Sequence, residues 1–314
     1  MSRFRPNPPP LRQGLAASCV VTPSQLPHGT LALDFFCTRF AFVAAREWAA
    51  RFAAGDVLDV QGQRLNADTP LERGQRLYYF RAVPHEPEVP FEATVLWQDA
   101  DLLVADKPHF LPVIPSGKYV RETLLVRLRA QYGLDHLSPI HRIDRDTAGL
   151  VLFSVNPATR NAYQTLFRER TVHKVYHGVA AWRPDLPWPL TRHSRIGPTA
   201  HFMQQHEVAG APNALTHIRP LHVAGAHALY EMRPVSGQRH QLRVHMAALG
   251  LPLEGDGIYP ALLPEAALDY QRPLQLLAQQ IAFTDPVSGA PRSFTSQRTL
   301  RLRVPPADPA PAAD

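Results

Sequence analysis

Residues 141–153 read HRIDRDTAGLVLF. The first half alternates charge, with Asp144 between Arg142 and Arg145 and Asp146 beside them; the second half opens a continuous apolar run, GLVLFSV (149–155), that predicts a short buried strand. A carboxylate just ahead of such a strand is expected at the mouth of a pocket. Nearby cations favour its ionised form, which a nucleophile or general base needs near neutral pH. An alternating acid and base cluster is, by itself, more often a solvated ion-pair network, so the rest of the chain has to decide.

Working outward, further strands are expected at 174–181 (KVYHGVAA), 199–205 (TAHFMQQ), 214–223 and 227–235, and two more flank the acidic turn of VLWQDADLLVADKP. Few helices interrupt them. One is expected after Asn156 as N-cap and Pro157 in its first turn, and another over Arg239 to Leu249, stopped by Gly250. This mixture predicts an α+β fold with a large, mostly antiparallel sheet. Upstream, helix-like runs at Ala32 to Phe40 and Phe42 to Ala54 precede short strands at Val57 to Val60 and Arg76 to Phe80. The expected division is a flexible arm (1–28), a small module (29–84), a main domain (92–304) and a disordered Pro-rich tail (305–314).

Composition narrows the function classes. The net charge of +6 (33 Lys and Arg against 27 Asp and Glu) favours a polyanionic partner. Lys107, Lys118 and Lys174 are the only lysines, so the arginine abundance itself reflects a general skew, while a retained lysine suggests a need for a compact ammonium. Cys19 and Cys37 form no CxxC pair, which argues against a disulfide framework and a zinc ribbon. Fifteen histidines raise the question of a metal, but HExxH is absent, His240 and His245 are five residues apart, and His217, His222 and His227 alternate faces of any strand. No metal site is expected. His141 reads as a residue shaping the loop around Asp144, and Asp256 as a turn residue between glycines. No apolar run is long enough to span a bilayer and no hydrophobic signal segment follows the N-terminus, so a cytoplasmic protein is expected.

Four segments, in order from Asp99 to Pro260, resemble the RluA family of RNA pseudouridine synthases. HRIDRDTAG is similar to that family's HRLDxxTSG signature, with Ile143 for leucine and Ala148 for serine. DADLLVADKPHFLPVIP (99–115) resembles DxxLLVxDKPxGLPVHP, with Phe110 and Ile114 in place of glycine and histidine. HKVYHGVAA (173–181) resembles KxYxAxVxG, departing at Gly178 and Ala180, and SGQRHQLRVHMAALGLPLEGDGIYP (236–260) resembles TGRxHQLRVHLxxLGxPIxGDxxYG, with Gln238 for its first arginine. LLAQQIAFTDPVSG is similar to the closing strand, where Leu277 and Asp285 replace histidines.

The resemblance implies a pseudouridine synthase fold with a mixed, mostly antiparallel sheet, and upstream the helix, helix, strand order with GDVLDVQGQRL and LERGQRLYYF resembles the small α/β RNA-binding module of the alpha-L type. The family resemblance implies Asp144 as the catalytic residue, Arg243 as its ion-pair partner, and Tyr176 as the ring that stacks on the target uracil. Arg142, Arg145, Lys107 and Lys174 are expected to contact RNA or take part in base flipping, with Arg142 filling the vacated space. The implied reaction needs no cofactor. Its partner would be RNA, with large-subunit rRNA favoured over tRNA, and the protein would act as a monomer away from membranes. A catalytically silent RNA-binding assembly factor is the rival reading.

Overall fold

The computed structural model describes residues 8–83, 85–199, 201–263 and 269–301. These form two compact units: one reaches to Pro87 and includes Ile114–Asp135, the other holds Glu88–Val113 and the chain from His136 onward. The expected tail, 305–314, lies outside the described residues, as do residues 1–7 of the expected arm.

In the first unit, β1 (Ser18–Val21), α1 (Ala32–Arg39), α2 (Ala45–Ala54), β2 (Val57–Leu58) and β3 (Arg76–Tyr79) are joined by α3 (Leu124–Tyr132), which sequence reading missed. The strands make an antiparallel sheet in the order β1-β3-β2. Phe36 is fully buried, with the rings of Trp48, Phe52 and Tyr79 at 4.6, 5.6 and 5.6 Å. Gly55 takes the left-handed conformation that ends α2.

Two expectations need correction here. Residues 8–28 are no free arm: β1 pairs with β3, Leu15 is buried beside Val126 of α3, and a Cβ on Gly14 would meet the Val126 carbonyl at 2.4 Å. The Pro-rich opening concealed a short apolar series, Leu15, Val20 and Leu26, that repays its ordering by burial. Likewise 114–135 groups with the first unit, where Glu86 accepts the backbone N–H groups of Val120, Arg121 and Glu122 at 2.5, 3.0 and 2.7 Å.

The second unit carries β4 (Thr94–Gln98), β5 (Leu102–Lys107), β6 (Ser138–Pro139), β7 (Ala148–Ser154), α4 (Arg160–Arg168), β8 (His173–Ala181), β9 (Leu190–Pro198), β10 (Gln205–Val208), β11 (Ala214–Ala224), β12 (His227–Pro234), α5 (Gln241–Ala248), β13 (Leu276–Thr284) and β14 (Pro291–Thr295). Its sheet runs β10-β9-β11-β12-β8-β13-β7-β5-β4, with β14 added on β13 and β6 on β7. Pairing is antiparallel except between β13 and β7. Every residue of β5 and β7 is buried, which is why both read as unbroken apolar runs. At the parallel junction Gly149 has φ +108°, and a Cβ there would lie 2.3 Å from the Ala278 carbonyl oxygen. Glycine therefore sets the close approach of two strands directly behind the Asp144 loop.

Several element boundaries shifted: α2 starts at Ala45 and not at Phe42, and β2 ends at Leu58 and not at Val60. The strand expected at 199–205 begins only at Gln205, and its partner β9 was overlooked because its residues alternate between half-buried and exposed and include three polar or basic outward positions. Asn156 caps a turn, accepting the Ala158 N–H at 2.9 Å, and α4 starts later, at Arg160.

Candidate active site

Asp144 lies in the turn that leads from β6 into β7, closed by the Thr147 N–H donating to the Asp144 carbonyl at 3.2 Å. The deeply buried β7 thus fixes one side of a cavity of about 120 Å³ whose lining includes Arg142, Asp144, Lys174, Tyr176, His240 and Arg243. A larger, more open groove of about 330 Å³ runs past His173, Phe283 and Arg292, but no carboxylate lines it. Carboxylate chemistry belongs to the smaller cavity.

The Arg243 guanidinium, 2% exposed, organises its floor. Nη1 donates to Asp144 Oδ2 at 3.2 Å, while Nε and Nη2 donate to Asp256 Oδ2 and Oδ1 at 2.8 and 2.6 Å. Burial works against the charge on Arg243, yet the paired carboxylates, Asp256 first, raise its pKa above the ordinary arginine value. Asp256 Oδ1 also accepts the N–H groups of Ile258 and Tyr259 at 2.8 and 3.0 Å. Asp256 is a turn residue, as read from the sequence, and in addition the bidentate anchor of Arg243, a function that the GDG spelling did not signal. An arginine so held can orient a carboxylate and does not itself need the substrate to become paired.

The remaining expected site residues divide. Tyr176, on β8, lines the cavity; burial and the negative charge of Asp144 push its phenol pKa up, so the hydroxyl stays protonated, and among the described residues it has no hydrogen-bond partner. Arg142 is exposed at the rim and, among the described residues, its guanidinium is unpaired. Lys174 is half-buried and donates to the Ser236 carbonyl at 3.2 Å; burial, reinforced by Arg170, lowers its pKa. Arg145 pairs with Asp146, donating at 2.7 and 3.2 Å.

Lys107 is a correction. Expected to meet RNA, it is fully enclosed at the end of β5, donating to the carbonyls of Pro108 and Arg145 at 2.9 Å each. Burial lowers its pKa to about 7, against the opposing pull of Asp146 and Asp144. A side chain with no exposed surface cannot pair with a phosphate; it pins the backbone of the Asp144 loop. Beside it, His109 Nδ1 lies 2.7 Å from the Asp146 carbonyl. His141 has the loop-shaping position expected: its Nε2 accepts the Leu152 N–H at 3.2 Å, its ring stacks on Phe167 at 4.6 Å, and burial lowers its pKa to about 3.

Sequence reasoning gave no site role to His240 or Tyr259, and named Phe110 only as a departure from the resembled motif. His240 lies with Nε2 3.9 Å from Asp144 Oδ1, and burial, opposed by that carboxylate, lowers its pKa. Tyr259 packs edge-on to His240 at 5.8 Å and faces Arg243 at 5.4 Å. Phe110, where the resembled motif has glycine, takes φ +66° while packing against Phe91 and Tyr270 at 6.1 and 5.1 Å. The aromatic cluster compensates a backbone conformation that glycine adopts without strain. Among the described residues, no three His, Cys, Asp or Glu side chains are grouped to hold a metal ion, and no helix is long and apolar enough to cross a membrane.

Comparison with known proteins accords with this geometry. The family model described as RNA pseudouridylate synthase matches residues 101–248. An uncharacterized RNA pseudouridine synthase of Synechocystis is 35% identical over 231 residues, covering 72% of this chain and 78% of that protein. The dual-specificity RNA pseudouridine synthase RluA of Yersinia pestis is 31% identical, over 64% of this chain and 96% of its own length. Among solved structures, human RNA pseudouridylate synthase domain containing 1 superposes with a TM-score of 0.55 at 22% identity, covering 68% of this chain and 86% of that one. Human RNA pseudouridylate synthase domain containing 4 gives 0.52 at 24% identity, with 66% and 88% covered. These two share the fold. Sequence and fold together place the chain in the RluA family of RNA pseudouridine synthases.

Proposed function

We propose that this synthase isomerises uridines in large-subunit rRNA, with Asp144 as the catalytic residue. The observation that carries the reading is Asp144 reaching into the cavity with one oxygen held by a buried arginine that is itself locked to Asp256. A uridine must leave its stack before any side chain can reach its glycosidic bond. Arg142, unpaired at the rim, is suited to occupy the vacated space, and the Tyr176 ring to stack on the uracil. In either route, attack by the carboxylate on C1' or removal of a sugar proton, the N1–C1' bond breaks, the uracil turns within the cavity and C5 bonds to C1' as the carboxylate leaves that carbon or as the sugar regains its proton. The C5 proton leaves and N1 gains one, so no oxidant, water or cofactor is consumed.

The rRNA assignment rests on helices α1 and α2 and the small sheet of the first unit, which suit an alpha-L-type RNA-binding module, and on a Neisseria meningitidis relative named ribosomal large subunit pseudouridine synthase D, 29% identical over 65% of this chain. The protein would act as a monomer. The test is tritium release from RNA labelled at uracil C5, using total RNA from cells lacking the enzyme. Release by the parent and none by Asp144→Ala is expected. Release by Asp144→Ala would remove Asp144 from the chemistry, and release from tRNA with none from rRNA would overturn the target. Tight RNA binding without release by the parent, on RNA shown to be a competent substrate, would leave the assembly-factor reading.

A further inference from the structure

Of the cavity's polar side chains with no part in the scheme above, His240 lies nearest the unheld oxygen of Asp144 among the described ion pairs. His240 is 8% exposed, lines the same cavity as Asp144, and holds a left-handed backbone, φ +57° and ψ +18°, at the residue preceding α5. That conformation is uncommon for a residue with a Cβ; histidine adopts it more readily than most, and asparagine or glycine more readily still. Strain of this kind persists where the surrounding structure enforces it.

The hydrogen bonds around the ring fix its tautomer. The Gln205 backbone N–H can only donate, and it does so to Tyr259 Oη at 2.8 Å. Tyr259 is 3% exposed, and its hydroxyl proton has one remaining partner among the described residues, His240 Nδ1 at 3.1 Å. Were Nδ1 the protonated nitrogen, two donors would point at Tyr259 Oη and the buried hydroxyl proton would have no acceptor, which is costly. Nδ1 therefore accepts, and the ring carries its proton on Nε2. That nitrogen faces Asp144 Oδ1 at 3.9 Å, about 1 Å beyond a charge-assisted hydrogen bond. The other carboxylate oxygen, Oδ2, is already held by Arg243.

We infer that His240 is a positioning residue whose Nε2–H closes onto Oδ1 of Asp144 when uridine fills the cavity, so that the carboxylate is gripped through both oxygens. The inference rests on the reading of Asp144 as the catalytic residue. Tyr259 acts one step further out, by keeping the proton off Nδ1.

Substitutions separate this from a structural role. An amide nitrogen placed by glutamine substitutes for Nε2, whereas that of asparagine falls short but suits the left-handed backbone. His240→Asn is expected to fold at least as stably as the parent while kcat on an rRNA substrate falls about tenfold to a hundredfold, the loss of one charge-assisted hydrogen bond, with KM little changed. His240→Gln is expected to recover about tenfold of that loss. In protein labelled with ¹⁵N-histidine, the His240 resonances should show Nε2 protonated and Nδ1 bare at neutral pH, and Tyr259→Phe should mix the two tautomers. A parent-like kcat in His240→Asn, or a proton on Nδ1 in the parent, overturns the inference. Asp144→Ala distinguishes the two levels: if that variant stays active, the underlying reading fails, whereas an inactive Asp144→Ala beside a fully active His240→Asn sinks only the role of His240.

Discussion

The floor and the rim of the cavity use the same residue type in opposite ways. At the floor, Arg243 is 2% exposed and spends its donors on Asp256 and Asp144; at the rim, Arg142 is exposed and unpaired among the described residues. Arg142 stands in a string of mixed charge and Arg243 in the basic run RHQLRVH, and neither string says which guanidinium is engaged. What separates them is desolvation. A buried cation must find partners within the protein, whereas an exposed one is available to a polyanion.

The contrast is broken most severely at Arg243. Arg243→Ala leaves Asp256, 1% exposed, buried without its cation, so a loss of about 3–5 kcal/mol of stability in denaturant unfolding is expected, together with loss of tritium release. Arg243→Lys should keep the charge but not the bidentate pairing, and therefore restore stability only in part. If Arg243→Ala were as stable as the parent, the floor would not be the closed ion-pair network described above.

Next comes the backbone beneath the floor. Gly149→Ala places a Cβ about 2.3 Å from the Ala278 carbonyl at φ +108°, and a loss of about 2–4 kcal/mol in urea unfolding is expected. A smaller loss would mean that the parallel β13 and β7 junction yields easily.

The buried basic groups set a pH dependence whose sign follows from their lowered pKa values. Rings of the unfolded chain gain protons as pH falls through about 6.5, whereas folded His109 and His245 stay neutral to about 4 and His141 to about 3. Stability should therefore decline as pH drops from 6.5 toward 4. Lys107 extends the trend upward: the unfolded amine keeps its proton to about 10.5 and the folded one loses it near 7, so stability rises with pH above 7. Lys107→Met should reduce the alkaline rise in urea midpoint to the part left by Lys174, whose pKa burial also lowers, and leave the acid limb unchanged. Persistence of the full rise would assign it elsewhere.

The smallest effect on stability is expected at the rim. Arg142→Ala should change unfolding by no more than about 0.5 kcal/mol. It should weaken RNA binding and, if the guanidinium meets a phosphate, reduce the salt dependence of binding by about one counterion. An unchanged salt slope with a lowered kcat would place the side chain in the emptied stack. That outcome would sharpen the contrast, because the rim arginine would then act on bases and not on backbone.

Much of this was legible beforehand. The apolar runs of β5 and β7 declared themselves because both faces of those strands are buried, and the order of charged and apolar residues around Asp144 located the loop that the fold brings to the cavity. The proximity of Arg243 to Asp144 followed from family resemblance, and 3.2 Å now separates their nearest atoms. Strands with polar outward faces, such as β9, were harder to see, because half their residues answer to solvent and carry no periodic apolar signal.

The sequence alone determined which side chains were available: the carboxylate, the arginines, the tyrosine and the strands that would carry them. Tertiary structure decided which of them stay open to solvent and which are used up inside. Lys107 and Arg142 looked alike as cations near Asp144, yet one is enclosed by carbonyls and the other open at the rim. Asp256 looked like a turn and is also the anchor of the site, while His240 owes its orientation to Tyr259, nineteen residues on. Burial and hydrogen-bond partners are properties of the packed chain, and for ionisable groups they outweigh residue type, because removing a charge or a donor from water obliges the fold to supply a partner.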